Sequence, residues 1–217
     1  MITAEVTFPR EKLLNLKYPV EYVELDWDTY LDLSEDLGES TSLHLTFYRG
    51  DLIIVPVTEL HEMLMSLLDR FVALAGLHLR INVIPTGRAT LRSESKLIGV
   101  EPDLSYFVGN ADRHQVKNYV ENEIQLPPDI VVEIDLFHSS EDKFAIYSQL
   151  GISEFWRFLD GKLTMFSLKG GRYAEVEKSD QLPILTSAIL TDFLSRIETD
   201  EQFIVLSDFQ NWLRNSK

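Results

Sequence analysis

Acidic residues interrupt two apolar stretches of this chain, at Glu101-Pro102-Asp103 and at Glu133-Ile134-Asp135. A charged side chain is costly to bury, so a strand built for the protein interior carries carboxylates only when something compensates their charge. Positions two apart in a strand share a face, and each acidic pair can therefore point in one direction. Two such strands side by side would gather carboxylates around one hard divalent cation such as Mg²⁺.

A lysine follows the second acidic pair by eight residues. Lys143 falls in the first turn of a predicted helix, where the helix dipole disfavours a cation unless it meets solvent or an anionic neighbour. The carboxylates at the end of the preceding strand would be such a neighbour. A cation held by carboxylates can stabilise the charge that grows on a phosphoryl oxygen, so the pattern favours phosphate chemistry. Glu62, beside His61 on another predicted helix, could supply a further acidic group.

Each of these residues also has a simpler interpretation. The second acidic pair could lie on a solvated edge strand, and the first pair flanks a proline and could belong to a loop. Lys143 alone is typical of a solvated helix surface. His61 could be a surface residue or a zinc ligand, but zinc is disfavoured because no second histidine stands at helical spacing.

The composition indicates one globular domain in a reducing compartment. The chain has 217 residues, of which 45% are apolar, and it contains no cysteine, which excludes disulfides and thiolate metal sites. It holds no run of about 18 apolar residues, the length that a membrane span needs. Residues 1–10 lack the basic start and apolar stretch of a secretion signal. We therefore expect a soluble cytoplasmic protein that does not enter a membrane.

The net charge of −15 argues against a general nucleic-acid coat protein. The charge is uneven, however. Residues 1–69 carry fourteen acidic and four basic side chains, whereas residues 80–120 carry six basic and four acidic ones. If Glu101 and Asp103 face a cation, the second segment presents a positive face. The overall charge thus weakens a DNA-binding hypothesis without excluding it.

Apolar periodicity and turn residues predict an alternation of helices and strands. The first half is predicted to hold a loose arm (1–20), a helix capped by Asp26 or Asp28 (26–37), a hairpin (43–48 and 52–56), a helix from Thr58 to Gly76, strands over 77–84 and 89–91, and a strand broken or bent near Pro102 (97–108). The second half is predicted to hold a polar loop (109–128), a central strand (129–137), a helix from Ser139 to Gly151, a meander (154–159, 163–168 and 172–176) and two helices within 187–212.

Several stretches, taken in order, resemble the Uma-type putative restriction endonuclease family of the PD-(D/E)xK nuclease superfamily. The matching stretches are LTFYRGDLIIVPVTELHE (45–62), GVEPDLSYFVGN (99–110), PPDIVVEID (127–135), SSEDKFAIYSQLGISEFWRF (139–158) and SAILTDFLSR (187–196). Each stretch alone is weak, but the combination is specific and covers residues 25–197.

The resemblance implies an α/β (α+β) fold with a restriction-endonuclease-like core, in which a mixed β-sheet is flanked by helices and followed by a C-terminal meander and helices. It implies Asp103 and Glu133 as metal ligands, helped by the main-chain carbonyl of Ile134, and Glu62 as an auxiliary acid. It also implies a homodimer. We divide the chain into an N-terminal arm (1–24), the nuclease-like domain (25–197) and a C-terminal helix (198–217).

Two positions depart from the family pattern. The lysine of the superfamily usually stands two residues after the strand glutamate, where this chain has Asp135, and Lys143 on the next helix is the natural substitute. Many relatives have a glutamate four residues before the hairpin glycine, where this chain has Thr46. Neither change removes the pair of Asp103 and Glu133.

These observations favour an endonuclease that uses Mg²⁺ or Mn²⁺ to hydrolyse DNA. Asp103, Glu133 and Asp135 would be metal ligands, and Lys143 and Glu62 would complete the catalytic set. Weaker candidates for substrate contacts are Arg88, Arg92 and Glu101. One alternative is a catalytically silent nuclease-like protein that acts as a dimeric binding or scaffold module, which the acidic composition favours. Another is a nuclease that uses the same site on RNA.

Overall fold

The computed structural model describes residues 10–38, 43–86, 89–109, 126–136 and 142–216. Within these ranges the α-helices are α1 (Arg10–Leu13), α2 (Trp27–Leu37), α3 (Glu59–Leu79), α4 (Lys143–Leu150), α5 (Ser187–Ser195) and α6 (Gln202–Asn215). The β-strands are β1 (Val20–Tyr22), β2 (Leu43–Tyr48), β3 (Asp51–Pro56), β4 (Val83–Pro85), β5 (Leu91–Ser93), β6 (Ile98–Val100), β7 (Leu104–Val108), β8 (Ile130–Asp135), β9 (Glu154–Leu159), β10 (Lys162–Lys169) and β11 (Arg172–Val176).

The described strands form two sheets. The first sheet has the order β1-β3-β2-β6-β5 and is antiparallel throughout. The second sheet has the order β11-β10-β9-β8-β7-β4 and is mixed, because β8 and β9 run parallel while its other pairs are antiparallel. Helix α4 connects the two parallel strands, as a parallel pair requires a crossover. The prediction of a mixed sheet flanked by helices is confirmed.

The segment predicted as a strand broken or bent near Pro102 is broken there into two strands, which lie in two different sheets. β6 pairs with β2 and β5 in the first sheet, whereas β7 pairs with β8 and β4 in the second. Pro102 lies between them and cannot donate a ladder hydrogen bond, so pairing stops where the chain changes sheet. Asp103 therefore stands at the junction of the two sheets.

Three apolar clusters fill the described structure. One lies between the second sheet and helices α3, α5 and α6, and it includes Phe71 and Phe209. A second packs α2 on the first sheet. The third joins α4 to the opposite face of the second sheet and to β5 and β6. Strand β8 contributes to two clusters and all six of its residues are buried, which confirms its predicted central place.

Helix α3 begins as predicted but ends later. The Thr58 hydroxyl accepts a hydrogen bond from the His61 amide and caps the first turn. The helix passes through Gly76 and ends at Leu79, with Arg80 in the left-handed conformation. A side chain at position 76 would overlap Val83, so this glycine serves the close approach of β4 rather than the end of the helix.

The other predicted elements agree with the structure to different degrees. Helix α2 with its Asp26 cap, the β2–β3 hairpin, the β9–β11 meander and helices α5 and α6 are confirmed. The loose arm is wrong in part, since β1 pairs with β3. Ser139 and most of the polar loop lie outside the described residues. Helices in the described ranges are too short or too polar to cross a membrane.

Candidate active site

Asp103 and Glu133 stand opposite each other where β7 and β8 meet. Leu104 pairs with Val132 in this antiparallel ladder, so the next position along it sets Asp103 against Glu133. Both side chains are buried, with exposed fractions of 4% and 3%. Two carboxylates directly across a sheet repel each other unless other groups compensate their charge. The surrounding residues supply that compensation in two different ways.

Two imidazole rings and one backbone amide hold the Asp103 carboxylate. The ring of His44 on β2 lies 3.0 Å from Oδ1 through its Nδ1 atom, and the ring of His61 on α3 lies 3.0 Å from Oδ2 through its Nε2 atom. The Ile134 amide donates a 2.6 Å hydrogen bond to Oδ2. Asp103 thus links the first sheet, the long helix and the central strand at one point.

These contacts keep Asp103 ionised. Burial alone would raise the pKa of Asp103, but hydrogen bonds from His44 and His61, together with the attraction of their charges, hold it well below its usual range. Because an ionised carboxylate only accepts, the ring nitrogens that face it must donate. The outer nitrogens, Nε2 of His44 and Nδ1 of His61, are buried and have no hydrogen-bond partner among the described residues.

Glu133 is held by a cation and a hydroxyl group from helix α4. The Lys143 ammonium donates to Oε2 at 2.7 Å, and the Tyr147 hydroxyl donates a short hydrogen bond to Oε1. Burial nevertheless raises the pKa of Glu133 to about 8, since these two contacts offset its desolvation only in part and Asp103 adds repulsion. The two carboxylates of the pair are therefore tuned in opposite directions.

Lys143 occupies the first turn of α4, as predicted, with an anionic neighbour. Burial alone would lower the pKa of Lys143, but the carboxylates of Glu133, Asp103 and Asp135 raise it above the usual value. The ammonium group thus stays charged beside the acidic cluster. This contact offsets the unfavourable position of a cation at a helix start.

The two carboxylates, the two histidines and Lys143 line one cavity of about 260 Å³. Its lining residues are Lys17, Tyr18, Pro19, His44, Thr46, Val55, Pro56, Val57, Thr58, His61, Asp103, Glu133, Ile134, Asp135, Leu136 and Lys143. The set draws on both sheets, on helices α3 and α4, and on the segment before β1. A concave space with convergent polar groups of shifted pKa is the expected form of an active site.

The structure does not bring all predicted site residues into this cavity. Asp103, Glu133, Asp135 and Lys143 line it, but Glu62 is exposed and lines a separate depression beside α6. The neighbouring residue His61 faces the cavity instead, because the first turns of α3 direct adjacent residues to different faces.

The weaker candidates for substrate contact also lie elsewhere or are undescribed. The Glu101 carboxylate accepts hydrogen bonds from the Leu45 amide and the Thr90 hydroxyl, and so links β2 to the residue that precedes β5. The Arg92 guanidinium donates to the Ser34 hydroxyl and lies over the ring of Tyr30. Both residues thus have contacts within the fold. Arg88 lies outside the described residues.

Sequence reasoning predicted Lys143 beside the acidic residues but missed the roles of His44 and Tyr147. His44 carried one usable signal, since it is a polar residue two positions before Thr46 on the same strand face. Tyr147 stands four residues after Lys143, one helical turn away, and so could reach the same acidic group. The roles of both residues depend on sheet packing, which the spacing of residues along the chain does not reveal.

A divalent cation fits the donor chemistry of this site. Asp103, Glu133 and Asp135 offer carboxylate oxygens, the ligands that Mg²⁺ prefers, in one cavity. Among the described residues, however, no group of three or more histidine and acidic side chains is already arranged to hold a metal ion. A cation would have to compete with Lys143 for Glu133 and with the histidines for Asp103.

Comparison with known proteins places this geometry in context. No curated protein matches the chain. A crystal structure described as a putative nuclease belonging to DUF820 from Anabaena variabilis ATCC 29413 matches with a TM-score of 0.53 and 14% identity, and the match covers 78% of this chain and 99% of that chain. At this identity the likeness shows a shared fold, which confirms the predicted nuclease-like core.

A family comparison extends over most of the sequence. The Uma2 family model, described as putative restriction endonuclease, matches residues 27–197, a range that includes the lining residues of the cavity from β2 to α4. The chain therefore belongs to the Uma2 family of putative restriction endonucleases.

Proposed function

We propose that this protein is a metal-dependent endonuclease that hydrolyses phosphodiester bonds in DNA. One observation carries the proposal: Asp103, Glu133 and Lys143 come from separate elements and meet in a single buried cavity. Two carboxylates and a lysine at one point are what phosphoryl transfer with a divalent cation requires. Membership of a nuclease family supports the same reaction class.

Each side chain has a separate task in this proposal. Asp103 and Glu133 would hold Mg²⁺ or Mn²⁺, with Asp135 beside them, and the cation would act as a Lewis acid toward the phosphate. Lys143 stays charged and would stabilise negative charge at the phosphate or orient the attacking water. Tyr147 fixes Glu133 from the opposite oxygen.

The histidines position Asp103 rather than the substrate. Each ring donates to one carboxylate oxygen, so together they set the plane of the carboxylate and keep it ionised. A ligand held in one orientation by neighbouring groups binds a metal more tightly than a mobile one. Glu62, which we predicted to be catalytic, does not line the cavity and stands beside a separate depression.

A second candidate function is a silent nuclease-like protein that binds a partner as a dimer. The observation in its favour is that both carboxylates already have internal partners and form no ready-made metal site among the described residues. The high negative charge also slows the approach of nucleic acid. In this alternative, Asp103, Glu133 and their hydrogen-bond partners form a buried polar network with a structural role.

A calorimetric titration with Mg²⁺ and Mn²⁺ separates the two functions. The wild-type protein is compared with Asp103→Asn, which keeps the shape of the side chain, and with Asp32→Asn on the exposed face of α2 as a matched control. The nuclease proposal expects saturable binding in the wild type and the control, and loss of binding in Asp103→Asn. Absence of binding in all three proteins would favour the silent module.

A further inference from the structure

The candidate catalytic groups lie below the surface of the molecule. Asp103, Glu133 and Asp135 have exposed fractions of 4%, 3% and 7%. Their cavity of about 260 Å³ is close to the lower limit of small-ligand pockets, which range from about 300 to 1,000 Å³. A space of this size suits one nucleotide unit. A double helix is stiff and wide, so its backbone would have to be deformed for one of its phosphates to reach these groups.

The lining of the cavity supports the same conclusion through its charge. Among the described residues, the cations that line it are Lys17 and Lys143, and Lys143 is bonded to Glu133. Duplex binding depends on many lysine and arginine contacts along both backbones. Arg92, the described arginine predicted to contact substrate, is instead bonded to Ser34.

Apolar and aromatic groups dominate the remaining wall. The end of β3 contributes the apolar run 55–57, and the segment before β1 contributes Tyr18 and Pro19. Tyr18 is 78% exposed although it lines the cavity, so its ring stands at the mouth. An exposed aromatic ring offers a stacking surface for an unpaired base of any sequence. Lys17 stands next to it in the chain.

We propose that the site takes single-stranded DNA, with one base stacked on Tyr18 at the mouth of the cavity and the Lys17 ammonium close to the neighbouring phosphate. This inference rests on the proposed nuclease function, whose substrate it narrows to flexible strands. A single strand is flexible enough to turn a phosphate into the cavity and already has unpaired bases for stacking, whereas a duplex would have to be bent and locally unpaired.

Binding in the presence of a chelator tests the inference apart from catalysis. Fluorescence anisotropy is measured with one short labelled strand, alone and annealed to its complement, for the wild type, Tyr18→Ala and Tyr18→Trp. The matched control is Phe203→Ala, which removes an aromatic ring of similar exposure (77%) on α6. We expect the single strand to bind at least about tenfold more tightly than the duplex, and Tyr18→Ala to weaken it by about 5- to 100-fold.

Tyr18→Trp and Phe203→Ala should retain wild-type affinity for the single strand. Tighter duplex binding, or an unchanged affinity in Tyr18→Ala, would overturn the single-strand inference, and metal-dependent cleavage of the duplex would still leave the nuclease proposal standing. Strand binding through Tyr18 without any metal-dependent cleavage would support the binding site and overturn the nuclease function. The two proposals therefore fail on different measurements.

Discussion

The two buried carboxylates of the cavity are held in opposite electrostatic states. Donors from His44 and His61 keep the pKa of Asp103 low, whereas burial beside a second carboxylate raises the pKa of Glu133 to about 8. Neighbouring acids with divergent pKa values are typical of catalytic sites, because one group can stay charged while the other exchanges a proton. Each pKa shift follows from the burial of the carboxylate and from the groups that contact its oxygens.

The two histidines should differ in their contribution to stability. Oδ1 of Asp103 has His44 as its donor among the described residues, whereas Oδ2 keeps the Ile134 amide when His61 is lost. We expect His44→Ala to lower the free energy of unfolding by about 1–3 kcal/mol, and His61→Ala to lower it by less. Urea denaturation measures both, with exposed His78→Ala as the control. Equal losses in all three variants would contradict this role of the rings.

Metal affinity should rise with pH. Burial raises the pKa of Glu133 to about 8, so below that pH metal binding is opposed by a proton that the site holds when no metal is bound. A cation must displace that proton, so affinity should increase about tenfold per pH unit up to about pH 8 and then level off. Titrations between about pH 6 and 9 test this, and Glu133→Gln, which lacks a proposed ligand, should bind the metal weakly across the whole range. An affinity independent of pH would refute it.

The charged groups of the site were predictable from the sequence, but the side chains that hold them in position were not. Asp103, Glu133, Asp135 and Lys143 were predictable because charge in an apolar strand, or at a helix start, conflicts with local physical rules. His44 breaks no such rule, since a histidine in a half-buried strand is ordinary. Its contact with Asp103 depends on the packing of two sheets, which spacing along the chain does not encode.

At the scale of elements, the interruption of strand pairing at Pro102 determines where the site lies. It moves the chain from the first sheet to the second and leaves Asp103 where β2, α3 and β8 converge. Helix α2 packs on one face of the first sheet, and its Tyr30 ring lies directly over Gly99 of β6. The close contact of α2 and β6 thus supports the strand that leads into the site.

Gly99→Ala should destabilise the fold. An added methyl group would overlap the ring of Tyr30, which is fully buried. We expect a loss of about 1–3 kcal/mol in the free energy of unfolding. Tyr30→Ala relieves the overlap, so the double variant should lose less than the sum of the two single losses, as a denaturation cycle would show. Additive losses would contradict the proposed overlap.

The predictable elements were those with strong local signals. Caps and turns marked α2, the first hairpin and the meander correctly. Gly76 was misinterpreted as a helix end, because a glycine selected for close packing looks the same in sequence as one selected for a turn. Strand β1 has three residues and depends on pairing with β3, so local patterning could not reveal it.

At the scale of the whole molecule, the net charge of −15 opposes the approach of an anionic substrate. Salt screens this repulsion, with a Debye length that falls to about 8 Å at physiological ionic strength. We therefore expect kcat/KM for DNA to rise as NaCl increases from about 20 to about 150 mM. Steady-state kinetics at several salt concentrations tests this. A steep fall in kcat/KM with rising NaCl concentration would instead indicate a basic binding surface.

Two properties of the whole molecule stay predictions. The homodimer and the cytoplasmic location were inferred from the family resemblance and from composition. On α6, Phe209 packs on Phe71 within the chain, whereas Phe203 is 77% exposed. Sedimentation of the intact protein would determine the oligomeric state.

The most direct test of the proposed site is cleavage of a labelled DNA strand with Mg²⁺ or Mn²⁺ by the wild type, Asp103→Asn, Glu133→Gln and Lys143→Met. Exposed Glu175→Gln on β11 serves as the matched control, and circular dichroism verifies that each variant is folded. We expect metal-dependent cleavage by the wild type and the control, and a loss of at least about 100-fold in the three site variants. Cleavage that persists in folded Asp103→Asn and Glu133→Gln would show that the reaction does not use this cavity.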